Sequence, residues 1–186
     1  DRFGLAHFDG PVYSVVSRLT YQKGVDLIIA CAKQIIDNGG FLIVLGEGEN
    51  ELQQSLGYLC ETFPDRVGFF CGYNAGLAHK IYAGSDFFLM PSLFEPCGIA
   101  QMIAQRYGVV PIVRLVGGLK DTVKPYNGKN GKTATGLGFN DYGISGLRWA
   151  IEESAKIYWD KPLFNQLRTN VSTLDLSWKK QALKYL

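Results

Sequence analysis

The sequence predicts an α/β fold, a parallel sheet wrapped by helices, on two observations. Short β-branched and aromatic runs alternate along the chain with longer segments of helical period. The 186 residues, 47% hydrophobic and 19% charged, suit one core that buries roughly 70% of the unfolded chain's surface.

The elements follow in order. Residues 12–17 form a β-branched and aromatic run and read as the first strand. Val25, Ile28, Ile29, Ala32, Ile35 and Ile36 then recur at three- and four-residue steps, which gives a helix one apolar face to set on a sheet. Asn38-Gly39-Gly40 stops that helix. Strands are expected at 41–45, 67–71, 87–90 and 111–114, and intervening helices at 49–62, 75–83 and 98–107. Residues 124–135, rich in Asn, Gly and Lys, lack apolar period and read as a surface loop inserted within one domain. Helices at 145–158, 163–171 and 178–186 complete the pattern.

Composition removes several classes of function. Lys plus Arg is 19 against 17 for Asp plus Glu, and a net charge of +2 cannot neutralise the phosphates that general nucleic-acid binding requires. No apolar run approaches the ~20 residues of a membrane helix. The start, Asp1-Arg2-Phe3-Gly4, lacks the layout of a signal peptide, so a soluble protein is expected. Cys31, Cys60, Cys71 and Cys97 are far apart and form no CxxC pair, which fits reduced thiols in a reducing compartment. His7 and His79 show neither partner carboxylates nor ligand spacing and read as structural, with no metal expected.

Candidate chemistry collects where strands end. Arg18 and Lys23 lie five residues apart, in the loop and first helical turn after the first strand. Such a pair is ordinarily two solvated charges. Here it stands where a helix amino end adds free N–H groups, so an anion can be held by a guanidinium fork and a compact ammonium together. The second strand runs into Gly46-Glu47-Gly48-Glu49, half of a dinucleotide fingerprint, but three acids through Glu51 make it a tight turn rather than a phosphate cradle. The densest signal is Pro91-Ser92-Leu93-Phe94-Glu95-Pro96-Cys97-Gly98-Ile99. Glu95 and the N–H groups of Cys97, Gly98 and Ile99 are expected to converge there, a carboxylate for sugar hydroxyls beside a helix end for phosphate. A cysteine at such an end can be a nucleophile. No His or Asn pattern accompanies Cys97, so its thiol reads as packing and its N–H as the functional group. Gly117-Gly118 reads equally as a plain turn or as a close backbone approach. Tyr73, after the third strand, could stack on a flat base, although an aromatic there is more often core.

Together these segments resemble the carboxyl-terminal half of bacterial glycogen synthases and plant starch synthases, the retaining glucosyltransferases of glycosyltransferase family five. The resemblance rests on Ser17-Arg18-Leu19 with Gln22-Lys23-Gly24, Gly72-Tyr73, Pro91-Ser92 with Phe94-Glu95-Pro96-Cys97-Gly98, Arg106-Tyr107-Gly108, Pro111-Ile112-Val113-Arg114, Gly117-Gly118-Leu119 with Asp121-Thr122-Val123, and Ser177-Trp178. It implies a fold of two Rossmann-like lobes facing a cleft, the GT-B type. This chain, 1–186, looks like the second, nucleotide-sugar-binding lobe alone, a parallel sheet with helices on both faces. The resemblance further implies that Arg18 and Lys23 hold the diphosphate and stabilise departing ADP, and that Glu95 contacts the glucose hydroxyls. Tyr73 would lie against adenine. Backbone N–H groups around Cys97, Gly98 and Ile99 would serve sugar and phosphate, with Gly117 and Gly118 also part of the donor site. The implied donor is ADP-glucose with no further cofactor, and the acceptor is an α-glucan engaged through the other lobe. The implied location is a bacterial cytoplasm or plastid stroma, with no nucleic-acid or membrane partner.

The sequence also departs from the family. Ile103 stands where related transferases often carry a second Glu that serves the ribose, and Ala100 and Val116 stand where relatives often have Asn or Thr, and Thr. The family's amino-terminal lobe, with its Lys-x-Gly-Gly-Leu segment, is absent from these residues, so the chain alone is expected to turn over poorly. Two other functions stay open here, a transferase of the same architecture using a UDP-sugar and a non-catalytic glucan-binding or regulatory module.

Overall fold

A computed structural model describes residues 3–5 and 9–177. The helix expected at 178–186, with Trp178, and His7 lie outside the described residues. Strands β1 (Val12–Val16), β2 (Phe41–Gly46), β3 (Val67–Cys71), β4 (Phe87–Met90), β5 (Val110–Arg114) and β6 (Leu137–Phe139) form one six-stranded sheet. Every pairing is parallel, in the order β3-β2-β1-β4-β5-β6. Helices α1 (Val25–Asp37), α2 (Asn50–Thr62), α3 (Ala75–Ala83), α4 (Ala100–Arg106), α5 (Gly118–Thr122), α6 (Ile144–Trp159) and α7 (Lys161–Ser172) complete the chain, with a 3-10 turn at Tyr21–Lys23. Parallel neighbours need a crossover between them, so this order makes the chain wind outward from β1 through β3 and then return to β4 on the other side of β1. The reversal opens a crevice beyond the carboxyl ends of β1 and β4.

Alternation along the strands sets helices on both faces. In β4, Phe87 and Leu89 point into one core cluster with α1, α6 and α7, whereas Phe88 and Met90 point into a second with Tyr82 and Ala104. Phe87 is fully buried, stacked on Tyr13 at 5.2 Å and tilted against Phe164 at 5.4 Å between ring centres. Burial pushes the Tyr13 phenol far above its ordinary range, so it sits neutral in a 2.8 Å hydrogen bond with the Ser154 hydroxyl.

All five expected strands are present, and the run of residues 25–36 is helical. Helix α1 stops as expected, with the Asn38 N–H bonded to the Gln34 carbonyl and Gly39 at φ 81°. Helix α4 begins at Ala100 rather than at residue 98, because Gly98 adopts φ 66°, a backbone no helix contains. Two elements escaped the periodicity, the five residues of α5 and the three of β6, each shorter than the window in which a period registers. Helix α7 starts two residues early, since the Asp160 carboxylate accepts the Leu163 N–H and Pro162 fits the first turn. The 124–135 segment is a loop, but its end is not surface: Ala134 and Thr135 are buried, and the Gln105 amide donates to the Thr135 carbonyl. Among the described residues, no helix is long and apolar enough to cross a membrane.

Phe87→Ala removes the ring on which Tyr13 and Phe164 rest, and we expect it to cost ~3–5 kcal/mol. A urea titration followed by circular dichroism should show the midpoint falling without a change in slope.

Candidate functional site

The crevice at the β1/β4 reversal is divided into two compartments that share Val16, Ser17 and Arg18. The outer one, about 290 Å³, lies over the ends of β1 and β2 and is closed by Gly72, Tyr73, Asn74 and Ala78. The inner one, about 210 Å³, lies between β1 and β4 and is lined by Lys23, Ser92 and Ala100 as well as strand residues.

The charged groups meet at the inner compartment. Lys23, at the end of the 3-10 turn, donates to Glu95 Oε2 at 2.6 Å across 72 residues of sequence, and their side chains are only 18% and 10% exposed. The Ser92 hydroxyl approaches the same oxygen at 3.3 Å. Arg18 is exposed and lines both compartments, and its guanidinium makes no hydrogen bond or ion pair among the described residues. Beyond Glu95, the N–H groups of Cys97, Gly98 and Ile99 precede α4 and likewise meet no acceptor among the described residues. An anion-accepting surface is thus present on both sides of the carboxylate.

The glycine pair has a packing function. A Cβ on Gly117 would lie 2.1 Å from the Glu95 carbonyl oxygen and one on Gly118 1.9 Å from that of Cys97, while the Gly118 N–H donates to the Glu95 carbonyl at 3.0 Å. The close approach they permit is to the loop that presents Glu95.

The structure therefore brings Arg18, Lys23, Glu95, Cys97, Gly98, Ile99 and Gly118 to one end of the sheet. Tyr73 is 87% exposed at the outer compartment, so it is not the core aromatic that its position ordinarily marks. Cys97 is exposed, which corrects the expectation that its thiol is packed. The tight turn after β2 is explained by pairing with the β1 loop, where Leu19 donates to the Glu47 carbonyl and accepts from the Glu49 N–H, both at 2.8 Å. His79 is exposed, its Nδ1 2.8 Å from the Tyr107 hydroxyl. Sequence reasoning assigned no function to Ser92, Gln22, Arg114 or Tyr142. Gln22 donates to the Phe94 carbonyl at 3.4 Å, and Arg114 donates to the Leu93 carbonyl at 2.6 Å. Burial, with Asp26 nearby, raises the Tyr142 phenol above its ordinary range and keeps it a neutral donor to the Tyr21 carbonyl. The first three stand inside motifs, but the backbone partners of Gln22 and Arg114 are so distant in sequence that they leave no local pattern.

A doubly wound parallel sheet with this cation and carboxylate crevice defines a Rossmann-like lobe of the GT-B type. The chain belongs to the family described as glycosyl transferases group 1, whose model matches residues 2–155. It is 47% identical over 183 residues to a glycogen synthase of Kosmotoga olearia, an alignment covering 98% of this chain and 38% of that protein. A glycogen synthase of Bacillus cereus is 42% identical over 177 residues, covering 95% of this chain and 37% of that protein. The catalytic domain of starch synthase IV from Arabidopsis thaliana, bound to ADP and acarbose, superposes with a TM-score of 0.90 at 32% identity, over 99% of this chain and 39% of that one. The chain thus spans about two fifths of the length of these relatives.

Gly118→Ala sets a methyl group against the Cys97 carbonyl, and we expect it to destabilise the fold by about 1–3 kcal/mol, as overpacking does. Thermal unfolding of the variant beside the parent checks this.

Proposed function

We propose that this chain is the donor-binding lobe of a retaining glucosyltransferase that moves glucose from ADP-glucose to the non-reducing end of an α-1,4-glucan, the chemistry of glycogen or starch synthesis. The observation that carries the reading is the meeting of Arg18 and Lys23, from the segment after β1, with Glu95, from the segment after β4, at one crevice. The glycogen synthases among its relatives and the ADP-bound starch synthase structure support the choice of donor.

In this mechanism adenine occupies the outer compartment against Tyr73, and the diphosphate crosses Arg18 toward Lys23. Glucose sits by Glu95, whose carboxylate accepts from its hydroxyls while the free N–H groups of Cys97, Gly98 and Ile99 face sugar and phosphate. The bond from glucose C1 to the diphosphate oxygen breaks, a bond from C1 to an acceptor hydroxyl oxygen forms, and that hydroxyl gives up its proton to the departing diphosphate. Negative charge grows on the departing ADP as that bond lengthens, and the two cations stabilise it more in the transition state than in the ground state. Groups of a second lobe complete the acceptor side, so the 186-residue chain binds nucleotide but extends glucan poorly.

Calorimetric titration with ADP tests the proposal, with binding by the parent and a loss of ~1.5–3 kcal/mol on Arg18→Ala or Lys23→Ala. No binding, or indifference to both substitutions, refutes it. Thermal protection by ADP compared with UDP at equal concentration reads out the base, and stronger protection by UDP would move the donor to a UDP-sugar.

A further inference from the structure

Residues 91–99 contain neither helix nor strand, so the place of Glu95 depends on what anchors the backbone on either side of it. Among the described residues, Arg114 supplies the one charged side chain that anchors this backbone. From the end of β5 its Nη1 donates to the Leu93 carbonyl at 2.6 Å and to that of Ser92 at 3.4 Å. Its Nε donates the other way, to the Asn140 carbonyl at 2.9 Å, and its guanidinium lies 5.5 Å from the centre of the Tyr142 ring. The Tyr142 hydroxyl in turn donates to the Tyr21 carbonyl at 2.9 Å, two residues before Lys23. The two anchored segments also pair directly, Leu93 N–H to the Gln22 carbonyl at 2.8 Å.

The geometry points to Arg114, with Tyr142, as a positioning unit that sets the Lys23 to Glu95 contact while bonding to neither side chain. One guanidinium joins the ends of β4, β5 and β6 and, through the tyrosine, the turn after β1. An ammonium does not replace it, because the task needs donors on two edges of a plane and a flat face for the ring. The glutamate that meets sugar and the lysine that meets phosphate then keep one separation, and binding at one is coupled to placement of the other.

This inference rests on the nucleotide reading above. Calorimetry with ADP on the 186-residue chain compares the parent, Arg114→Lys, Lys23→Ala and the double variant. Arg114→Lys should weaken binding about tenfold, and the double variant should be no more than about twofold weaker than Lys23→Ala alone, since both act through one contact. A purely structural Arg114 would instead give losses that multiply, and that result, or parent-like binding by Arg114→Lys, overturns the assignment. Should Arg114→Lys fail to fold, Tyr142→Phe keeps the ring and removes one hydroxyl. It should weaken ADP about threefold and show the same non-additivity with Lys23→Ala. Parent-like affinity there counts against the unit. If the parent binds no ADP, the nucleotide reading fails by itself. Carboxyl carbon NMR of Glu95 then decides the positioning question, a changed chemical shift of that carbon in Arg114→Lys or Tyr142→Phe supporting it and an unchanged one refuting it.

Discussion

The chain passes β1 twice, once as it leaves toward β2 and again when β4 returns to pair on β1's other side, and the crevice between the ends of β1 and β4 exists because of that reversal. Helices covering a parallel sheet turn away on opposite faces at such a point, so the space between two adjacent loops stays open. Each charged group of the site is carried by one of these loops. Moving β4 to any other place in the sheet would leave Lys23 and Glu95 without each other, however well each loop kept its own conformation.

The free site is uneven in charge. Lys23 and Glu95 lie against each other under partial cover, which makes each tolerable where water is scarce, while the Arg18 guanidinium, without an ion pair among the described residues, stands at the boundary of both compartments. On the proposed reading, a diphosphate would meet the Arg18 guanidinium first and a lysine already in company second. Lys23 turning to phosphate would then leave Glu95 free acceptor capacity for hydroxyl groups, so charge and sugar would be recognised by parts of one rearrangement.

The strands and long helices were legible because their signals are local: β-branched runs such as residues 41–45, and the apolar stripe from Val25 to Ile36. The candidate anion-binding residues were legible as positions after strands, where an α/β fold presents side chains to a ligand. What stayed hidden depends on contacts distant in sequence. Helix α5 and strand β6 are too short to carry a period, and β6 is defined by its register with Ile112 and Arg114. The packing function of Gly117 and Gly118 requires knowing which loop lies opposite. Nothing around Arg114 announces that its partners are the carbonyls of residues 92, 93 and 140.

The brevity of β6 has an effect away from the crevice. At that margin of the sheet, three residues present few unpaired backbone donors and acceptors, and the middle one is Gly138. A stranger's extended segment finds little to zip onto there, so this flank resists edge-to-edge aggregation without needing a lysine or proline guard.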